Sequence, residues 1–481
     1  MSGFFAYRGP LILLDRRCSV AVQNDSSMPK TPINPDHTPQ TGLWGRFIGF
    51  AEGNYIDRDA CNAAFDRMHR RDAIGDKIHL ILGFGALMCL FGPVTMTEIA
   101  ILPLVAFFFI RVVNTLPVWI HGFGQPPILA TLALIAFMFI ALSWSPDRPN
   151  GLAEIGQLRW FFVMGFLFPI IEHRTKLVYA LCIGLALGQI GQVLDAFDFG
   201  IEPVAKLVEN HPGRIAGWWH PVVGGGLLVA GMGLHLPAAM LGKGRTRIIG
   251  LLGLTISSVG VLATGTRGAW GAALLLLVLG VLIVVRIKRV PIKRVVAVGG
   301  LALIAVGIAG FVLRDSIMIR VNETRAELRE IEAGDYDSYS GRRVRMAQEA
   351  IEAFSQHPIV GVGTGGYERW CQQQGQRFGA HAHNSTLHIA ATLGLIGLVL
   401  WAIVLFVVLR NAWRWGLTDP ANPYAMGPML GIAGLLLASL TDSVHINAQS
   451  VAMLGVLLAL CPAYAPGTPS PIGDDITPDG E

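Results

Sequence analysis

Charge is scarce in this chain. Lys, Arg, Asp and Glu make up 15% of its 481 residues, against about 25% in an ordinary soluble domain. That shortage, with 52% hydrophobic residues and a mean hydropathy of +0.52, excludes a soluble globular protein and a nucleic-acid binder. Cysteine is sparse too. Of the six, only Cys371 falls in the long polar segment 314–384, so that segment cannot hold an internal disulfide. Near the N-terminus, "GPLILLD" is too short for a signal-peptide core and has no small-residue cleavage site after it. No tandem repeat is visible at solenoid periods.

What the chain does have is apolar runs close to the 17–25 residues a membrane helix needs. They lie near 77–91, 94–113, 126–143, 155–171, 177–194, 219–240, 248–264, 268–285, 295–313, 385–409, 425–441 and 446–461. The expectation is an all-α, polytopic transmembrane protein of about 12 spans, with the pair 77–113 open to a re-entrant reading. It divides into 1–76, a cytoplasmic tail and interfacial segment; 77–313, nine spans; 314–384, an external loop with short amphipathic helices; 385–461, three spans; and 462–481, a disordered cytoplasmic tail. The Pro/Asn/Thr-rich run after residue 23 buries too little to order itself. Trp44, Phe47, Ile48 and Phe65 among many charges suit a helix at the membrane surface.

Sidedness follows from the basic residues. With the N-terminus cytoplasmic, thirteen Lys/Arg fall on inner loops, five of them in "RIKRVPIKR", and five fall outside: Arg148, Arg159, Lys206, Arg214 and Arg267. The segment 314–384 exceeds the length at which loop charge governs orientation and is assigned outside.

Four features then converge on the outer rim. "HPGRIAGWWHP" places Arg214 before a span. "ATGTRGAWG" puts Arg267 in a tight turn, where an arginine is the less expected residue under the positive-inside bias. "YSGRRVRMAQEAIEAF" starts an amphipathic helix with Arg342, and Val344, Ala347, Ile351 and Phe354 recur behind it. Arginines in a first turn oppose the helix dipole, a conflict an anion would remove. Arg343 and Arg345 fit equally well as charges on a wet face. "AHAHNSTLH" brings His383 to the entrance of the next span, beside Asn384 or Ser385 as N-cap. There the dipole favours the neutral ring a general base needs.

A zinc reading of "HAH" needs two further ligands, and His211, His220, Cys371 and His445 show no zinc spacing; no metal and no cofactor is expected. "GVGTGG" at 361–366 fits G-x-G-x-x-G but lacks the preceding strand of a dinucleotide site. It reads as a flexible turn.

Taken in order, "TGTRGAW", "SGRRVRMAQEAIEAFSQHPIVGVGTGGY" and "HAHNSTLHIAATLGLIGL" resemble the shared region of the bacterial O-antigen ligase and O-antigen polymerase family, over roughly residues 205–460. The resemblance implies a polytopic inner-membrane glycosyltransferase with a periplasmic site. It would move a glycan from an undecaprenyl-diphosphate carrier to an acceptor hydroxyl, the lipid A core in the ligases, without a metal; direct displacement of the diphosphate would invert the anomeric centre. It places the essential arginines on Arg267 and Arg342, the essential histidine on His383, and a further arginine on Arg214. Where many members have an Asn-Pro-Asn-like turn after that arginine, this chain reads "WWHPVVGG". The competing readings are a repeat-unit polymerase, a protein O-oligosaccharyltransferase and a non-enzymatic lipid-glycan transporter.

Overall fold

The computed structural model describes residues 42–197, 199, 214–288, 290–375, 379 and 381–467. The tail 1–41, Lys206, His211, Arg289 and residues 468–481 lie outside the described residues. Residues 1–46 and 47–481 form two separate units, and all that follows concerns the second. Among the described residues it is all helix, with no strand.

The bundle is built around Pro221–Leu241, whose 21 residues are buried almost end to end. A helix apolar on every side must be enclosed by protein or lipid. Gly244–Ala263, Arg267–Lys288 and Gly427–Ala438 enclose this one. The outer helices turn Leu252, Leu274, Val278, Leu282, Leu303 and Ile308 outward, a band of exposed apolar side chains far larger than water tolerates on a soluble surface.

Every apolar run falls on helix, while the count of about twelve spans is not confirmed. Among the described residues, five helices are long and apolar enough to cross a bilayer: Arg148–Ala196, Pro221–Leu241, Gly244–Ala263, Arg267–Lys288 and Ser385–Thr418. A sixth is possible if Thr95–Ile110 and Val112–Phe123, bent by 110°, count as one. The bend falls at Arg111, a buried guanidinium held by Asp72 (2.6 Å) and Asp76 (2.5 Å), a residue no lipid-facing helix centre would carry. The runs at 155–171 and 177–194 merge into one 49-residue helical stretch, broken at Ile170 (φ −116°, ψ 16°). Near the C-terminus, Gly427–Ala438 and Ala448–Ala459 have 12 residues each. At 1.5 Å per residue that is about 18 Å, short of a ~30 Å hydrocarbon core. Hydropathy windows do not register such breaks.

The apolar side of Arg58–Arg71, Phe65 included, is buried against Val118, Phe168 and Ile171. One expectation about a helix face changes. In Tyr339–Gln356 the buried stripe is Met346, Ala350 and Ala353, while Val344 and Ile351 are exposed. The expected stripe was one turn-position off because Ala, the residue that lets helices approach, carries little hydropathy signal.

The main departure concerns "GVGTGG". Far from a flexible turn, it is a buried knot. The helix Ser385–Thr418 is interrupted at Gly394 (φ 64°, ψ −160°), which frees backbone groups on both sides of the break. Segment 358–363 takes them up. Val362 and Gly363 N–H donate to the carbonyls of Ala391 and Thr392 (2.9 Å each), and Leu395 and Ile396 N–H donate to the carbonyls of Pro358 and Ile359 (2.8 and 3.2 Å). A Cβ at Gly361 (φ 65°) would lie 2.3 Å from the Thr392 carbonyl carbon, and one at Gly394 would lie 2.4 Å from the Ile359 oxygen. Glycine is required at both positions for reasons of space as well as of φ. Gly394→Val is therefore expected to destabilise the protein by at least about 2 kcal/mol, read as a lowered Tm in detergent. Gly310→Val, with no atom within 4 Å of its Cβ position, should leave Tm unchanged.

Candidate functional site

Arg214, Arg267, Arg342 and His383, separated by up to 169 positions in the chain, line a single cavity of about 460 Å³, within the roughly 300–1,000 Å³ usual for ligand sites. Arg343, Tyr339, His220, Thr266, His381, Asp442 and Asn447 complete the polar part of the wall.

Each arginine is presented differently. Arg267 opens its helix two residues after Gly265 (φ 60°), and the intervening Thr266 anchors the turn by donating to the Pro221 carbonyl (3.0 Å). Its Nη1 contacts Glu327 (2.8 Å) and donates to Thr324 Oγ1 (2.8 Å). Glu327 also accepts from Ser340 Oγ (2.6 Å). Burial alone would raise the Glu327 carboxyl, but Arg267 and Ser340 outweigh it and hold it below its ordinary value. Arg342 sits in the first turn of Tyr339–Gln356, capped by Ser338, whose Oγ accepts from Gly341 N–H (3.2 Å). Arg214 is partly buried, and burial, Arg320, Arg343 and Arg267 all draw its pKa down. Guanidiniums gathered around one cavity make it a site short of negative charge. Arg343, left open between function and a wet face, lines the cavity, while Arg345 turns away to pair with Glu349 (3.4 Å).

His383 is fixed by both its neighbours. Asn384 is the N-cap of the following helix, its Oδ1 accepting from Leu387 N–H (3.0 Å). The same Asn384 donates from Nδ2 to the Leu440 carbonyl (3.1 Å), and Ser385 N–H donates to the Ser439 carbonyl (3.2 Å). Ser385 Oγ in turn accepts from Val444 N–H (2.9 Å). These bonds tie the helix start to the turn 439–445, and that turn brings Asp442 to His383. His383 Nδ1 and Asp442 Oδ1 are 3.5 Å apart, close enough for charge pairing though longer than a good hydrogen bond. Asn447 Nδ2 donates to the other carboxylate oxygen (3.3 Å). Burial would raise the Asp442 carboxyl; the His383 side chain, the Ser443 backbone and His381 hold it below its usual value instead.

His383 is the one non-glycine residue with positive φ (47°) among the described residues. Such strain costs of order 1–3 kcal/mol and persists where its surroundings impose it, often at functional sites. His381 packs its ring 4.1 Å from that of His383, centroid to centroid, and its Nδ1 accepts from His383 N–H (3.3 Å). Burial, followed by the neighbouring His383 and His388, draws its pKa down to about 3. His388 faces away from the cavity, buried and paired with Glu154 (3.3 Å).

The sequence reading missed Asp442, Glu327, Tyr339 and Asn447. "SLTDSVHIN", charged and polar between two apolar runs at the rim shared with Arg267, was the available signal for Asp442. His381, His383 and Asp442 together bring one donor atom each within 4.8 Å of one another, supplying a third ligand that sequence spacing did not reveal. Chemically, the cavity can bind a polyanion through its arginines and accept a proton at a histidine backed by a carboxylate.

No curated protein matches the chain. Residues 252–402 are similar to the family model described as O-antigen ligase, and this region supplies Arg267, Arg342 and His383.

Proposed function

We propose that the protein transfers a polysaccharide from an undecaprenyl-diphosphate carrier to an acceptor hydroxyl, with the lipid A core as acceptor, at a site facing the periplasm of a bacterial inner membrane. The family match supports a membrane glycosyltransferase of the O-antigen ligase or polymerase type. The observation that carries the finer reading is the meeting of Arg214, Arg267, Arg342 and Arg343 with the His383–Asp442 pair around one cavity.

In this reading the arginines hold the carrier diphosphate. Guanidiniums are permanently charged, planar and able to bind phosphate with two parallel hydrogen bonds. As the bond from the anomeric carbon to the phosphate oxygen breaks, negative charge grows on the leaving diphosphate, and donors already in place stabilise it without reorganising. His383 takes the proton of the attacking hydroxyl, and Asp442 steadies the imidazolium that results. Attack opposite the departing diphosphate inverts the anomeric centre. The acceptor oxygen gains the glycosyl bond, His383 gains the proton, and the carrier leaves as the free diphosphate.

A repeat-unit polymerase would use the same residues. A transporter would place its ionisable groups and broken helices at mid-depth in paired halves, whereas these charges gather at helix ends and turns. Deleting the gene and resolving the surface polysaccharide on a gel separates the two enzymes. Carrier-linked long chains that never reach the core mean a ligase, and cores bearing single repeat units mean a polymerase.

With purified carrier-linked donor in vitro, His383→Ala should lower transfer by about 10²-fold or more, the range of a lost general base, while donor binding persists. A wild-type rate would remove the base from this mechanism. Asp442→Asn, which keeps the shape and removes the charge, should lower the rate with little change in KM.

Arg267→Lys and Arg342→Lys keep the charge but lose the two-pronged geometry. Each is expected to lose most activity; full activity in both would mean that a diffuse positive field suffices.

For sidedness, Asp337→Cys should react with an impermeant thiol reagent added outside the cytoplasmic membrane, in a background lacking Cys18 and Cys89. Lys243→Cys should react only after that membrane is breached. The reverse pattern would put the cavity in the cytoplasm.

A further inference from the structure

We propose that His381, His383 and Asp442 form a binding site for one Zn²⁺ ion, and that the bound ion switches the cavity off. The three residues offer two imidazole nitrogens and one carboxylate oxygen, all within 4.8 Å of one another. Two histidines and a carboxylate are a zinc donor set, one that leaves a fourth position open to water or substrate.

The donors come from two separate parts of the chain, and their meeting is built in. The helix start that follows His383 is bonded to the turn carrying Asp442 through Asn384 and Ser385, and Asn447 orients the carboxylate. His383 and Asp442 already lie 3.5 Å apart, and the His381 ring lies against that of His383. With metal–ligand distances of about 2.0–2.2 Å, tetrahedral donors lie a little over 3 Å apart, so side-chain rotation alone closes the set. Arg214, Arg342 and Arg343 share the cavity and oppose a dication, while the charge of Arg267 is answered by Glu327. The site is accordingly weaker than a structural zinc site, as suits an ion that comes and goes.

Ion binding stands on this geometry alone. Its inhibitory consequence rests on the reading of His383 as the base: a ring held in a zinc complex cannot move to accept the acceptor's proton, and Asp442 cannot serve the metal and the imidazolium together.

The test uses the purified full chain in detergent, stripped with chelator and titrated with Zn²⁺ against a chromophoric competitor. One ion per chain is expected. His381→Ala and Asp442→Asn should each weaken binding by about 10-fold or more, each variant being informative without the other. His69→Ala, which alters the separate His69–Asp76–Glu172 cluster, should leave the affinity unchanged. In the transfer assay, Zn²⁺ should slow the wild type and EDTA should restore it. For His381→Ala, the ratio of rates with and without Zn²⁺ should move toward one. No stoichiometric binding, or equal affinity in wild type, His381→Ala and Asp442→Asn, overturns the site. Binding that His381→Ala weakens, together with transfer indifferent to Zn²⁺, leaves the site standing and overturns the inhibition.

Discussion

Four backbone hydrogen bonds between segment 358–363 and the broken helix at Gly394 are the constraint on which the rest of this structure depends. Neither partner is viable alone. A helix interrupted among apolar neighbours leaves N–H and C=O groups that must be satisfied by protein, and each one left unpaired costs about 1–3 kcal/mol. A loop of glycines has little side-chain burial of its own to hold it. Joined, they create a rigid seam, and the small core of Ala350, Ala353, Val362, Tyr367, Trp370, Cys371, Ala382 and Ala391 packs around it. Tyr339–Gln356 and the His381–His383 segment both rest on that core. One seam thus sets the distance between the arginine at the start of one helix and the histidine at the start of another.

The electrostatics of the cavity follow from where helices begin. Arg267, Arg342 and His383 each stand at or beside a helix N-terminus, where the dipole already favours an anion. Placing arginines there is locally unfavourable and adds to the same field. The carboxylates that make it tolerable, Glu327 beside Arg267 and Asp442 beside His383, come from other elements. The arrangement remains rich in positive charge until an anion arrives.

Much of this was legible in the sequence, and what was not has a common cause. Apolar runs and Asn384 as a cap follow from local pattern, and Arg214, Arg267, Arg342 and His383, grouped in the sequence by pattern and charge bias, meet in one cavity. The twelve-span count is left unconfirmed where composition stays apolar while geometry does not, as at Ile170, at Arg111 and in the two 12-residue helices. Asp442 and the seam were hidden because each depends on a partner far away in the chain. Gly361 is informative only once Thr392 lies against it, and Asp442 only once Ser385 has bonded the Val444 amide.

The left-handed backbone of His383 has a consequence for how this chain can change over time. A glycine, or to a lesser degree an asparagine, would occupy φ 47° at lower cost, so the fold by itself favours replacing the histidine. Only a demand made through the imidazole opposes that drift. Descendants released from the demand would gain thermal robustness by losing the ring, and a library selected for stability alone would discard position 383 early.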